Sequence, residues 1–156
     1  MVQYEERTEK ILSRINELAS CSDDAHAITR IFASDAFKKA SGKVLSWMKE
    51  AGLETRIDNI GNIRGRLVSG IGNTKTFLLA SHIDSVVNAG KFDGPLGVIM
   101  ALDLVEQLAQ LKKQLSFDIE LIAFSSSLEA SLQNTQLKAL LFSMDLHTVY
   151  SSNGKN

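Results

Sequence analysis

One imidazole and two carboxylates occur close together near the middle of the chain. They belong to His82, Asp84 and Asp93, and Gly94 follows the last of them. An imidazole nitrogen and a carboxylate oxygen are both ligands for divalent metals, and a carboxylate can bridge two ions. On an extended chain, residues two apart share a face, so Asp84 is placed to orient the imidazole of His82. The pattern predicts His82 and Asp93 as metal ligands. The alternative is a hydrogen-bonded structural pair of His82 and Asp84.

A strand and a helix are predicted on either side of these residues. The apolar run Thr76–Ala80 is typical of a strand covered on both faces, and it leads directly into Ser81–Asp84. Pro95 suits the first turn of a helix that continues to about Lys112. Its apolar stripe consists of Leu96, Ile99, Leu102, Val105 and Leu108. With a second buried strand at Phe117–Phe124, the order predicts a parallel βαβ unit. Functional residues in such folds lie beyond the carboxyl ends of the strands.

The first third of the chain predicts two helices and a hairpin. Tyr4–Leu18 carries apolar residues at helical spacing, and Ser34–Ala51 begins with a serine suited to cap a helix. Leu53–Ile57 and Ile63–Val68 are short strand candidates separated by residues typical of turns. The fold class that these elements predict is α/β, with a mostly parallel sheet and flanking helices.

Bulk composition narrows the class of partner. The 156 residues carry a formal net charge of −1, which gives no electrostatic reason to expect nucleic acid or an anionic membrane. No apolar run reaches the length of about 18 residues that a membrane span needs. Cys21 is the single cysteine, so an internal disulfide is excluded. We therefore expect a soluble, cytoplasmic protein.

Several longer stretches of the sequence resemble one enzyme family. They are Ile28–Ser34, Trp47–Leu53, Asp58–Gly65 and, most specifically, Ser81–Val98. In this order they are similar to the di-metal amidohydrolases and peptidases that include allantoate amidohydrolase, N-carbamoyl-L-amino-acid hydrolase and ureidoglycolate hydrolase. The resemblance implies a phosphorylase/hydrolase-like catalytic domain, truncated here. It places a partial N-terminal catalytic domain at residues 1–130 and a divergent C-terminal helix and tail at residues 131–156.

The same resemblance implies roles for individual residues. His82 corresponds to the ligand of one metal ion, Asp93 to the carboxylate that bridges both ions, and Asp84 to the aspartate that orients the histidine. The cofactor is a divalent ion, zinc or manganese, which polarises the scissile amide and activates a water. In the family a general-base glutamate follows the next strand, and a metal-binding glutamate comes directly after it.

This chain departs from the family pattern at those two glutamates. It reads Ala-Phe-Ser-Ser-Ser-Leu-Glu-Ala over residues 123–130. Without a gap, Ser127 and Leu128 occupy the two glutamate positions. With one inserted residue, Glu129 recovers the metal-ligand position but Leu128 still occupies that of the base. Neither Ser127 nor Leu128 can act as a general base near neutral pH.

Three functional hypotheses follow. The first is a fragment or relic of an amidohydrolase of linear amides that folds but does not turn over substrate alone. The second is a protein that functions by association, for example as a homo-oligomer. An incomplete parallel sheet leaves an edge open to another chain. The third is a hydrolase completed by a second chain. Because only two of the family's ligands are present, the sequence predicts weak, pH-dependent metal binding.

Overall fold

The computed structural model describes residues 2–71, 75–111 and 115–125. Within these ranges the chain forms three helices and four strands. In chain order they are α1 (Val2–Ala19), α2 (Asp35–Glu50), β1 (Glu54–Ile57), β2 (Ile63–Leu67), β3 (Lys75–His82), α3 (Pro95–Ala109) and β4 (Phe117–Phe124). None of the helices in this described part is long and apolar enough to cross a membrane.

The four strands form one mixed sheet in the order β1-β2-β4-β3. β1 and β2 pair antiparallel, as do β2 and β4, whereas β3 and β4 are parallel. The parallel pairing runs from Lys75 opposite Phe117 to His82 opposite Phe124. The carboxyl ends of β3 and β4 therefore meet, and His82 lies where they meet.

Local sequence explains the position of α2. The side chain of Ser34 caps the helix by accepting a hydrogen bond of 3.1 Å from the backbone N–H of Phe37. Gly52 ends the segment with φ at +78°, a left-handed conformation that favours glycine. On β2, a Cβ atom at Gly65 would lie 2.9 Å from the sulfur of Met48. The missing side chain thus allows α2 to approach the sheet closely.

The hydrophobic core lies between the three helices and one face of the sheet. Its fully buried members come from α1, α2, α3, β2, β4 and the loop after β3, and they are Ile15, Leu18, Ala40, Val44, Met48, Ile63, Ile83, Val98, Ile99, Leu102, Val105, Leu121 and Ala123. α3 also packs on β3 and on α1. This packing holds the loop between β3 and α3 against the body of the molecule.

The predicted α/β class with flanking helices is confirmed. The elements lie where the apolar periodicity places them, including the hairpin of β1 and β2 and the parallel βαβ unit. The sequence predicted a mostly parallel sheet, but the described sheet is mixed because the hairpin joins β4 in the antiparallel direction. α3 ends at Ala109. The sequence predicted an end near Lys112, which lies outside the described residues, as does the predicted domain boundary at residue 130.

The prediction that both faces of the third strand are covered was wrong for the described residues. β3 is one of the two edge strands of the described sheet, and Phe77 and Leu78 are 55% and 42% exposed. A continuous apolar run predicts burial, but it does not indicate whether a strand is central or lateral. β4 occupies the central position instead, and its six inner residues are buried.

Candidate metal-binding site

His82 is the last residue of β3 and begins the site. The sheet continues one residue further, because the backbone N–H of Ile83 donates to the carbonyl of Phe124 at 3.1 Å. A loop of residues 83–94 then leads to α3. Ser81, on the opposite face of β3 from His82, donates from its hydroxyl to the carbonyl of Gly94 at 2.9 Å. Strand, loop and helix start are therefore joined around the histidine.

Among the described residues, the imidazole of His82 forms hydrogen bonds through Nδ1 alone. Its Nδ1 lies 3.1 Å from the carbonyl oxygen of Asp84 and 3.2 Å from Oδ1 of the same residue. A carbonyl and an ionised carboxylate only accept hydrogen bonds, so Nδ1 carries the proton. In the neutral ring, Nε2 then keeps its lone pair, which is the form that binds a metal. The Asp84 side chain is fully buried, whereas that of His82 is 25% exposed.

Gly94 forms the surface against which the imidazole packs. A Cβ atom at this position would lie within 2.7 Å of Cε1, Nδ1 and Nε2 of His82. The backbone of Gly94 has φ at +84° and ψ at −60°, a conformation that residues with a side chain rarely adopt. Glycine is therefore required here for two reasons. Other residues rarely adopt this backbone conformation, and a side chain would clash with the imidazole ring of His82.

Two carboxylates determine the electrostatics of His82. The hydrogen bond to Asp84 raises the pKa of His82 above its ordinary value of 6.5. Burial of the ring acts in the opposite direction, and the charges of Asp84 and Asp93 raise the pKa further. Asp93 is exposed and follows a turn in which its backbone N–H donates to the carbonyl of Gly90 at 3.2 Å. The negative charge that favours a proton on His82 also favours a cation beside it.

The donors present fit part of a divalent metal site. A single imidazole nitrogen and a nearby exposed carboxylate suit zinc or manganese. Among the described residues, no group of three or more histidine, cysteine, aspartate or glutamate side chains is placed to hold an ion. Glu129, the predicted further ligand, lies outside the described residues, as do Ser127 and Leu128. The described residues thus bring His82 and Asp84 into contact, and Asp93 acts on His82 through its charge. The roles of all three stay predictions.

A second polar cluster fixes the end of β4 beside the site. The side chain of Asn62 donates to Asp58 at 3.0 Å, and its carbonyl oxygen accepts from the backbone N–H of Ser125 at 3.0 Å. The hydroxyl of Ser125 donates to the carbonyl of Ile60, also at 3.0 Å. In the sequence, residues 58–62 predicted only a turn. No feature of the sequence indicated this further role, because the burial of Asn62 is known only from the structure.

Comparison with known proteins gives no matching family model but several relatives. The chain is 36% identical over 135 residues to allantoate deiminase of Arabidopsis thaliana, a match covering 83% of this chain and 25% of that enzyme. It is 32% identical over 119 residues to N-carbamoyl-L-amino-acid amidohydrolase of Pseudomonas sp. strain NS671, covering 76% and 28%. The crystal structure of AtUAH in complex with (S)-hydroxyglycine has a TM-score of 0.71 at 32% identity, covering 76% of this chain and 28% of that one.

The fold and these matches define an α/β chain that is similar to one part of several amidohydrolases. More narrowly, the chain is a homologue of allantoate deiminase, N-carbamoyl-L-amino-acid amidohydrolase and ureidoglycolate hydrolase, which confirms the family resemblance predicted from its sequence. It spans about a quarter of the length of the curated relatives that it matches.

Proposed function

We propose that this chain supplies the part of an amidohydrolase site that contains His82, Asp84 and Asp93, for hydrolysis of linear amides of the N-carbamoyl amino acid or allantoate type. One observation carries the proposal. The imidazole of His82 is bonded through Nδ1 to Asp84, which leaves Nε2 for a ligand at the end of a parallel strand. The homology with enzymes named for these substrates supports the choice of substrate class.

The residues around the site have separate tasks. His82 and Asp93 would hold a divalent ion, zinc or manganese, which when bound polarises an amide carbonyl and lowers the pKa of water. Asp84 orients the imidazole and balances positive charge near it. Gly94 keeps the ring in place, because the ring packs against its main chain. A small-molecule substrate of the kind for which the relatives are named would bind beside His82 and Asp93.

Hydrolysis also needs a base that takes the proton of the attacking water and passes it to the leaving nitrogen. Such help is worth about 10²–10⁴-fold in rate. By sequence, Ser127 and Leu128 occupy the positions of the family's two glutamates, or Leu128 and Glu129 do if one residue is inserted. Neither serine nor leucine provides a carboxylate. We therefore infer that the chain by itself does not turn over these substrates.

Calorimetric titration with zinc and with manganese tests the metal part of this proposal. We expect weak binding that His82→Ala and Asp93→Asn both abolish. His26→Ala is the matched control, because His26 is an exposed histidine in a loop before α2, and it should leave binding unchanged. Binding that survives His82→Ala would contradict the proposal. Tight binding of two ions per chain would contradict the inference that the site is incomplete.

Association with a second copy is the alternative function that one observation favours. β3 is an edge strand of the described sheet. Phe77 and Leu78 project from opposite faces of this strand, and both are exposed. Exposed apolar side chains on a lateral strand favour pairing with another chain. Light scattering of the wild-type chain and of Leu78→Lys separates the alternatives. A dimer that becomes a monomer in the variant supports association, and a wild-type monomer at all concentrations excludes it.

A further inference from the structure

Arg30 lies buried in the segment between α1 and α2, only 1% exposed. Its guanidinium donates to three main-chain carbonyl oxygens. Nε donates to Ile83 at 2.6 Å, and Nη1 donates to Leu18 at 2.6 Å and to Cys21 at 2.9 Å. The planar group thus connects the end of α1 with the loop that follows β3. A fixed, planar set of donors of this kind is specific to arginine.

The main chain of Arg30 is bonded to the same loop. Its N–H donates to the hydroxyl of Ser85 at 2.8 Å, and its carbonyl accepts from the N–H of Ser85 at 2.9 Å. With the bond to Ile83, Arg30 contacts both neighbours of Asp84 along the chain. The pairing extends further, because the N–H of Ala89 donates to the carbonyl of Ile28 at 2.8 Å.

The charge of Arg30 also acts on Asp84. A buried guanidinium is costly unless opposite charge and acceptors surround it. Burial lowers the pKa of Arg30, and the charges of neighbouring groups, Asp84 among them, act against that shift. Arg30 and the fully buried side chain of Asp84 therefore lie close enough for their opposite charges to attract each other.

We propose that Arg30 is a positioning residue of the site: it fixes Ile83 and Ser85 so that Asp84 holds His82 in the tautomer that binds a metal. This inference rests on the proposed function for the meaning of that tautomer. It also gives a task to the family-like stretch Ile28–Ser34, for which the sequence offered none.

Long-range ¹H–¹⁵N correlation spectra of the imidazole test the proposal without metal. At a pH where His82 is neutral, the wild-type ring should show a single tautomer with the proton on Nδ1. Arg30→Gln should give a mixture of tautomers, because three carbonyls lose their fixed donor and Asp84 loses the positive charge near it. The same spectrum in Arg30→Gln and wild type would overturn the proposal, as would mixed tautomers in the wild type.

Arg14→Gln is the matched control for the loss of a buried arginine. Arg14 is 6% exposed, donates to Glu106 at 2.7 Å and lies over the ring of Trp47. Its partners are on α3 and α2 rather than in the loop after β3. This variant should lower stability but keep the single tautomer of His82. If it also mixes the tautomers, general loosening explains the effect and the proposal falls.

Two further measurements keep the result decisive. If Arg30→Gln does not fold, Arg30→Lys replaces it, because an ammonium keeps the charge but cannot serve three carbonyls in a fixed geometry. Mixed tautomers in Arg30→Lys support the proposal and a wild-type spectrum overturns it. In zinc titrations, the arginine variant that folds should bind about tenfold more weakly or worse, and unchanged affinity would contradict the proposal. A wild-type chain that binds no zinc would defeat the proposed function, whereas the tautomer spectra would still decide the role of Arg30.

Discussion

Replacing Gly94 by alanine should damage both stability and the site. At φ of +84° and ψ of −60°, a residue with a Cβ atom bears backbone strain of about 1–3 kcal/mol. The new atom would also lie within 2.7 Å of three atoms of the His82 ring, so the ring must move away. Its hydrogen bond to Asp84, worth a net of about 0.5–1.5 kcal/mol, is then lost. Together these effects predict a loss of about 1.5–4.5 kcal/mol in the free energy of unfolding.

Urea denaturation followed by circular dichroism measures this loss. Gly90→Ala is the control on the same loop, because a Cβ atom there meets nothing within 4 Å and no positive φ is required. The control should stay within about 0.5 kcal/mol of the wild type. In Gly94→Ala the His82 ring should also lose its single tautomer. Equal stability of the two variants would refute the argument that the imidazole and the glycine backbone are packed against one another.

Three other predictions concern the surroundings of the site. Asn62→Ala should lower the free energy of unfolding by about 1–3 kcal/mol, because it leaves the buried N–H of Ser125 without its acceptor; an unchanged denaturation midpoint would contradict this. The pKa of His82 is raised in the folded chain. Protonated His82 therefore stabilises the metal-free fold at pH values below the pKa of this residue in the unfolded chain. This stabilisation is lost as the pH rises through the pKa of His82 in the folded chain. Asp84→Asn should lower the pKa of His82 in an NMR titration and flatten that dependence, and an unmoved pKa would refute the role of the carboxylate. Leu128→Glu should not by itself produce turnover in an allantoate assay, since one carboxylate does not supply the other missing groups.

Local patterns predicted most of the fold. The βαβ unit followed from two apolar runs on either side of an amphipathic stripe, and the cap at Ser34 followed from residue type. The contact between His82 and Asp84 followed from their spacing of two residues. All three depend on neighbours along the chain, which is why a single sequence predicted them.

What the sequence did not predict depends on distant partners. Arg30 bonds to Ile83 and Ser85 across separations of 53 and 55 residues, and Asn62 reaches Ser125 across 63. Neither partner can be found from periodicity or turn chemistry. The exposure of Phe77 on β3 likewise depends on the order of strands in the sheet, which an apolar run does not specify.

We propose that this homologue of allantoate deiminase provides part of a metal-dependent hydrolytic site but does not complete one. The most direct test is to incubate the purified 156-residue chain with zinc or manganese and to follow release of ammonia from allantoate and from N-carbamoyl amino acids. We expect no release above the rate without protein. Robust, metal-dependent turnover that Asp93→Ala abolishes would contradict it.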